Sequence, residues 1–210
     1  VGKKHKPSSK RWLAEHAADH YVHEAKRLGY RSRSVFKLKE LNERDRLLRP
    51  GITVVDLGAA PGGWSQLARP LLGANGRLIA LDILPMDPVP DVDFIEGDFR
   101  EETVLRALES KLQGPHSVDL VMSDMAPNIS GVDTADQVAS VHLAELALEF
   151  ARTQLKTKGA LVVKLFQGEG FEAFVKQVRQ LFESVQLRKP KASRPRSREI
   201  YLVARNFRVV

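Results

Sequence analysis

Five short apolar runs, ITVVDL, RLIALD, VDFIEGD, VDLVMSD and ALVVKLF, recur along the middle of the chain, with helical spacing between them. Alternation of this kind is the rhythm of βαβ units, and it commits the chain to an α/β fold with a parallel sheet. The predicted helices between the runs are Gly63–Leu72, Glu101–Leu112, Ala135–Leu155 and Phe171–Phe182. The last sets Phe171, Phe174, Val175, Val178 and Phe182 along one side, as core packing requires. Upstream, Arg11–Leu28 stops at Gly29, and Ser34–Leu47 precedes Pro50 and Gly51; both read as helices. The chain closes with SVQLRK and EIYLVAR, alternating segments with no helix between them, which predicts an antiparallel pair at the sheet edge.

A chain of 210 residues, 43% hydrophobic, fits one globular domain over residues 11–210, with residues 11–50 as a basic helical extension. Residues 1–10, basic and polar with Pro7, Ser8 and Ser9, are expected to be a disordered tail. No apolar run approaches the roughly 18 residues of a membrane span, and VGKKHKPSSKRW lacks the apolar segment of a signal peptide. The expectation is a cytosolic, soluble, monomeric protein with no membrane partner. The absence of cysteine excludes disulfides, zinc–thiolate sites, iron–sulfur clusters and thiol catalysis.

Charge is divided along the chain. Residues 1–50 carry 14 Lys/Arg against 6 Asp/Glu and residues 185–210 carry 8 against 1, while residues 51–184 carry 11 against 19. Two cationic ends around an acidic middle predict that the ends grip a polyanion, the alternative being solubilising charge.

The stretch Asp56–Gln66, DLGAAPGGWSQ, sits where the first strand should pass into a helix. Gly58, Gly62 and Gly63 permit a tight turn and close approach of a ligand, and such turns are where open α/β sheets bind nucleotides. It is not the dinucleotide fingerprint, because Ala60 stands where glycine is needed, and not a P-loop, because Trp64 and Ser65 replace the phosphate-binding Lys and Ser/Thr. A nucleoside with positive charge and no phosphate fits the acidic middle, and S-adenosylmethionine is such a ligand. Turn amides and the helix N-terminus suit its carboxylate, and Asp82, ending RLIALD, suits its ribose hydroxyls. Asp98, in EGDF, suits its adenine amino group. Asp56, Asp82, Asp98 and Asp124 each end a strand, which puts four carboxylates along one sheet edge. Trp64 either stacks on the adenine or packs beneath the helix.

DLGAAPGGWSQ, ALDILPMDP, EGDFR, MSDMAPNISG, VVKLFQGEG and SRPRSREIYLVA, with RSRSVFKL upstream, resemble the FtsJ (RrmJ) type of heat-shock ribosomal RNA methyltransferase. The resemblance runs from Arg11 onward. It implies a Rossmann-like methyltransferase fold, a seven-stranded, mostly parallel sheet with a reversed last strand and helices on both faces. It further implies S-adenosylmethionine as cofactor and the 2′-hydroxyl of a uridine ribose in 23S ribosomal RNA, in the large ribosomal subunit, as substrate. The family's Lys-Asp-Lys-Glu set carries over to Lys37, Asp124, Lys164 and Glu199.

A neutral hydroxyl is a poor nucleophile, so the reaction needs help with a proton. Lys164 lies in an apolar strand, where burial and a neighbouring cation favour the neutral amine of a lysine, and it is assigned as base or proton-steering group. Asp124 orients it and touches the cofactor, Lys37 tunes charge and positions the ribose, Glu199 holds a lysine, and Tyr201 contacts substrate. Taken singly, these residues read as a snorkelling strand lysine, a turn aspartate and a surface ion pair. Arg31, Arg33, Arg194, Arg196 and Arg198 flank Lys37 and Glu199 and are assigned to RNA phosphates. His16, His20 and His23 share a helical face, but without a third ligand in a motif no metal is assigned. Two rival functions are a non-catalytic ribosome-assembly platform and methylation of another RNA, such as tRNA or an mRNA cap.

Overall fold

The computed structural model describes residues 19–208. The tail assigned to residues 1–10, and His16, lie outside the described residues. In chain order the elements are α1 (His20–Arg27), α2 (Val35–Asp45), β1 (Thr53–Leu57), α3 (Gly63–Leu72), β2 (Arg77–Asp82), β3 (Asp93–Glu96) and α4 (Glu102–Ser110), followed by β4 (Val118–Ser123), α5 (Asp133–Gln154), β5 (Leu155–Phe166), α6 (Phe171–Leu181), β6 (Phe182–Arg188) and β7 (Glu199–Phe207).

A continuous helix from Arg11 to Leu28 is not what forms. Asp19 has extended backbone (φ −76°, ψ 116°) and its carboxylate accepts the Tyr21 amide at 3.0 Å, so it caps a new helix beginning at His20. Among the described residues, no group of three His, Cys, Asp or Glu side chains could hold a metal ion.

The seven strands form one sheet in the order β3-β2-β1-β4-β5-β7-β6. All neighbouring pairs are parallel except those of β7, which runs antiparallel to both β5 and β6. The expected antiparallel pair is present, with β6 at the edge and β7 inserted one place inward. β5 is longer than its sequence suggests. It begins at Leu155, directly after α5, and its register against β4 shifts between Val118 and Leu120. The polar LysThrLysGly stretch, with Lys158 at φ 66°, forms that bulge, which is why alternation does not reveal it.

Strand periodicity divides the core. Val55, Leu57, Ile79, Leu81, Val121, Val163 and Leu165 face α4, α5 and α6, with Leu108, Ala144, Ala147, Leu148, Phe174 and Val178 packed against them. The alternate residues, Val54, Leu78, Leu120, Met122, Val162, Tyr201 and Val203, face α2 and α3 through Leu38, Leu41, Trp64, Ala68 and Leu72. Helices therefore cover both faces, and the order reverses between β1 and β4, where such sheets open a ligand crevice at the strand ends.

Candidate active site

Lys164 and Tyr201 are paired across β5 and β7, and Glu199 lies two residues before Tyr201, so period-two alternation puts all three on the face covered by α2. On α2, Lys37 precedes the buried Leu38 and reaches the same place from above. Asp124 follows β4 directly, its amide donating to Leu57 O at 3.2 Å, which fixes it where β1 and β4 end.

Four charges meet there. Lys164 Nζ donates to Asp124 O at 2.5 Å and lies 3.0 Å from Asp124 Oδ1. Lys37 Nζ lies 2.7 Å from Glu199 Oε1. Between the pairs stands Tyr201, whose hydroxyl donates to Asp124 Oδ1 at 2.6 Å and whose ring centroid is 5.6 Å from Lys37 Nζ. Burial raises the Asp124 carboxyl, but the Lys164 and Lys37 ammonium groups and the Tyr201 hydroxyl outweigh it and leave Asp124 below the ordinary range. Glu199 is likewise raised by burial and brought below its ordinary value by Lys37. Tyr201 is pushed well up, first by burial and then by the Asp124 and Glu199 carboxylates, so it remains a donor. At 0% exposure it holds Asp124 from within the core and does not face a substrate.

The glycine turn joins β1 to α3, with Gly58 at φ 77° and Gly62 at φ 102°. Its close approaches are made by the protein itself. A β-carbon on Gly58 would come 2.9 Å from Met125 backbone, one on Gly62 would come 2.9 Å from the Arg31 guanidinium and the Met86 sulfur, and one on Gly63 would collide with Ser32 Oγ. The amides of Gly58 and Ala59 donate to Leu81 O, that of Ala60 to Asp82 Oδ2 and that of Gly62 to Ala59 O. These glycines shape the turn, since a side chain at any of them would meet the protein's own atoms.

Asp82 accepts Ala60 N and Leu84 N, one on each oxygen, both at 2.9 Å. Each oxygen keeps a lone pair for a further donor. Asp98 is gripped by Arg100 through its backbone amide and guanidinium, which lowers its carboxyl to about 2. Asp56 is fully buried. Its Oδ2 accepts Ser65 Oγ at 2.7 Å, its Oδ1 has no partner, and burial, with Asp124 and Asp82 nearby, pushes it up to about 7. Trp64 is 2% exposed, donates its indole N–H to Ser34 O at 2.9 Å and packs on Tyr201, so of its two expected roles the structure has the packing one.

The arginines divide. Arg31 donates to Pro61 O, Asp87 O and Pro88 O, with its amide on Gln66 Oε1 at 3.1 Å; it clamps the glycine turn to the loop after β2. These partners lie up to 57 residues away, so no local pattern could have revealed this role. Arg33 and Arg194 both approach Asp19, Arg198 pairs with Asp133 at 2.9 Å, and Arg196 is exposed. Two surface concavities, of about 620 and 500 Å³, lie beside α5 and α2 and are lined by none of the four charged residues.

The FtsJ-like methyltransferase family matches this sequence over residues 30–207. The chain belongs to that family. It is an FtsJ-like methyltransferase, and therefore an enzyme. A protein named ribosomal RNA large subunit methyltransferase E, from Azoarcus sp. (strain BH72), is 60% identical over 205 residues, covering 98% of this chain and all of that one. Among solved structures, a ribosomal RNA methyltransferase from Plasmodium falciparum superposes with a TM-score of 0.76 at 30% identity, covering 85% of this chain and 98% of that one. An rRNA methylase from Clostridium thermocellum, at 21% identity, covers 82% of this chain and 97% of its own with a TM-score of 0.56, and shares the fold.

Proposed function

We propose that this FtsJ-like methyltransferase moves a methyl group from S-adenosylmethionine to the 2′-hydroxyl of a uridine in large-subunit ribosomal RNA, acting on the assembled subunit. The observation that carries this reading is the Lys37–Glu199 and Lys164–Asp124 pairing around Tyr201 in a chain 60% identical to a ribosomal RNA large subunit methyltransferase. No helix among the described residues is long and apolar enough to cross a membrane.

The donor set suits the cofactor. Asp82, Asp98 and Asp124 offer carboxylates to a cationic, hydroxyl-bearing ligand, and nothing at the turn replaces the lysine of a phosphate-binding loop. Asp82 would hold the ribose hydroxyls through its remaining lone pairs, Asp98 would face the adenine amino group, and Asp124 would meet the methionine end. The turn of Gly58, Gly62 and Gly63, set over the buried Asp56, would supply the shape into which the cofactor fits, with α3 amides toward its carboxylate. When bound, S-adenosylmethionine supplies a methyl group made electrophilic by the sulfonium.

Lys164 would act on the ribose oxygen. Two contacts of its ammonium go to Asp124, which leaves a third N–H to align the hydroxyl oxygen; as the amine, Lys164 would take the hydroxyl proton. Asp124 would keep Lys164 in place, and Glu199 would do the same for Lys37, which stabilises negative charge gathering on the oxygen. Arg194, Arg196 and Arg198 would draw the RNA backbone toward these groups. The test is mapping of ribose methylation on ribosomal RNA from cells lacking the protein, before and after it is restored. A 2′-O-methyl that disappears and returns at one uridine is the expected result. An unchanged map would overturn the substrate, and a return with Lys164→Ala would take that residue out of the mechanism.

A further inference from the structure

The two carboxylate oxygens of Asp19 serve different partners. Oδ1 accepts the Tyr21 amide and starts α1, while Oδ2 receives Arg33 Nη1 and lies 3.6 Å from Arg194 Nε. One anion thus sits between two arginines from distant parts of the chain. It is largely enclosed: the Asp19, Arg33 and Arg194 side chains are 11%, 16% and 26% exposed.

The fit is incomplete on the arginine side. Arg33 gives one N–H to Asp19 and one to Ala192 O, and its Nε is buried with no hydrogen-bond partner. A guanidinium presents its donors as a planar fork that matches two oxygens of one anion, and here a single carboxylate oxygen uses it from one side. The position matters as well. Arg33 lies one helical turn before Lys37 in sequence, and its charge reaches the Tyr201 hydroxyl and lowers its pKa against the carboxylates around it. An anion held by Arg33 would therefore lie beside the Lys37–Glu199 and Lys164–Asp124 pairs.

We propose that Arg33 and Arg194 form a subsite for one RNA phosphodiester next to the target ribose, and that Asp19 fills this subsite in the RNA-free enzyme as an internal stand-in that RNA displaces. The proposal rests on the RNA reading above. A phosphodiester has two non-bridging oxygens where Asp19 offers one, so it can engage Arg33 and Arg194 together. Because Asp19 already desolvates and orients both arginines, the arriving phosphate meets a preorganised pair. Displacement also selects among RNAs, since a ligand with few other contacts to the enzyme does not compete with a tethered carboxylate.

Asp19→Asn tests this, because the amide oxygen still caps α1 while the competing charge is gone. Binding of unmethylated large ribosomal subunits and of a bulk tRNA mixture is measured at several salt concentrations, beside cofactor affinity by calorimetry and thermal stability. The expected result is RNA binding tighter by about five-fold or more at low salt, with the larger gain for tRNA, and a salt dependence steeper by roughly one counterion. Cofactor affinity stays the same. In an Arg194→Ala background the gain shrinks. Unchanged or weaker RNA binding by a folded Asp19→Asn overturns the stand-in role, as does an equal gain with Arg194 removed. If Asp19→Asn does not fold, Asp19→Ser keeps a cap without the charge and is read in the same way. Wild-type enzyme that binds neither RNA overturns the RNA reading itself and the subsite with it.

Discussion

Lys164 and Tyr201, directly opposed on antiparallel strands, converge on one atom: Asp124 Oδ1 lies 3.0 Å from the lysine Nζ and 2.6 Å from the tyrosine hydroxyl. The carboxylate is thus held by two donors at once, the fully buried Tyr201 hydroxyl and the buried Lys164 ammonium. Lys164→Ala should lower single-turnover methylation of large subunits by roughly 10²–10⁴ while cofactor and RNA binding stay within a few-fold. Lys164→Arg should fail too, since a guanidinium stays protonated and does not reproduce the contacts of a compact ammonium. Near-normal turnover in well-folded Lys164→Ala would remove the residue from the mechanism.

Asp82 holds the glycine turn as well as facing the proposed ribose site. Asp82→Ala removes the acceptors of Ala60 N and Leu84 N together with those meant for the ligand. Calorimetry should register a loss of about 1–3 kcal/mol in S-adenosylmethionine affinity. Unchanged affinity would take Asp82 out of the cofactor site.

Asp56 makes stability depend on pH in a direction unusual for an aspartate. Its folded-state value of about 7 lies above the ordinary one, so the folded protein holds a proton that the unfolded chain has lost. Stability from this group is complete below about pH 4 and falls as pH rises to about 7, by up to about 4 kcal/mol. Asp124 and Glu199 are shifted downward and act below that window, in the opposite sense. Urea titrations between pH 4 and 8 should show the decline, and Asp56→Asn should flatten it whatever its overall stability. The same slope in wild type and variant would mean that another group is responsible.

Trp64 separates packing from ligand stacking. Trp64→Ala should destabilise the fold by about 3–5 kcal/mol, as loss of a large core aromatic does. Trp64→Phe keeps much of the ring contact with Tyr201 but loses the bond to Ser34 O. It should cost only about 1 kcal/mol and leave cofactor affinity within two-fold. A ten-fold loss of cofactor affinity in stable Trp64→Phe would point to stacking instead.

The strands, the helices between them and the reversed ending were legible in the sequence because each element writes its own period into its residues. Phe171, Phe174, Val175 and Val178 mark a core face in this way, and their burial follows. Lys37, Asp124, Lys164 and Glu199 were named through the family motif, for no local pattern links residues this far apart. What brought them together was tertiary. The strand order inserts β7 beside β5, antiparallel alternation turns Lys164, Tyr201 and Glu199 to one face, and α2 lays Lys37 across it. Arg31, Trp64, Tyr201 and the three glycines take partners within the protein for the same reason. Residue type says what a side chain can bond to, but only the packed chain decides whether its partner is a ligand, a carbonyl 57 residues away or the inside of the core. That choice depends on burial and register, which arise when separate segments meet.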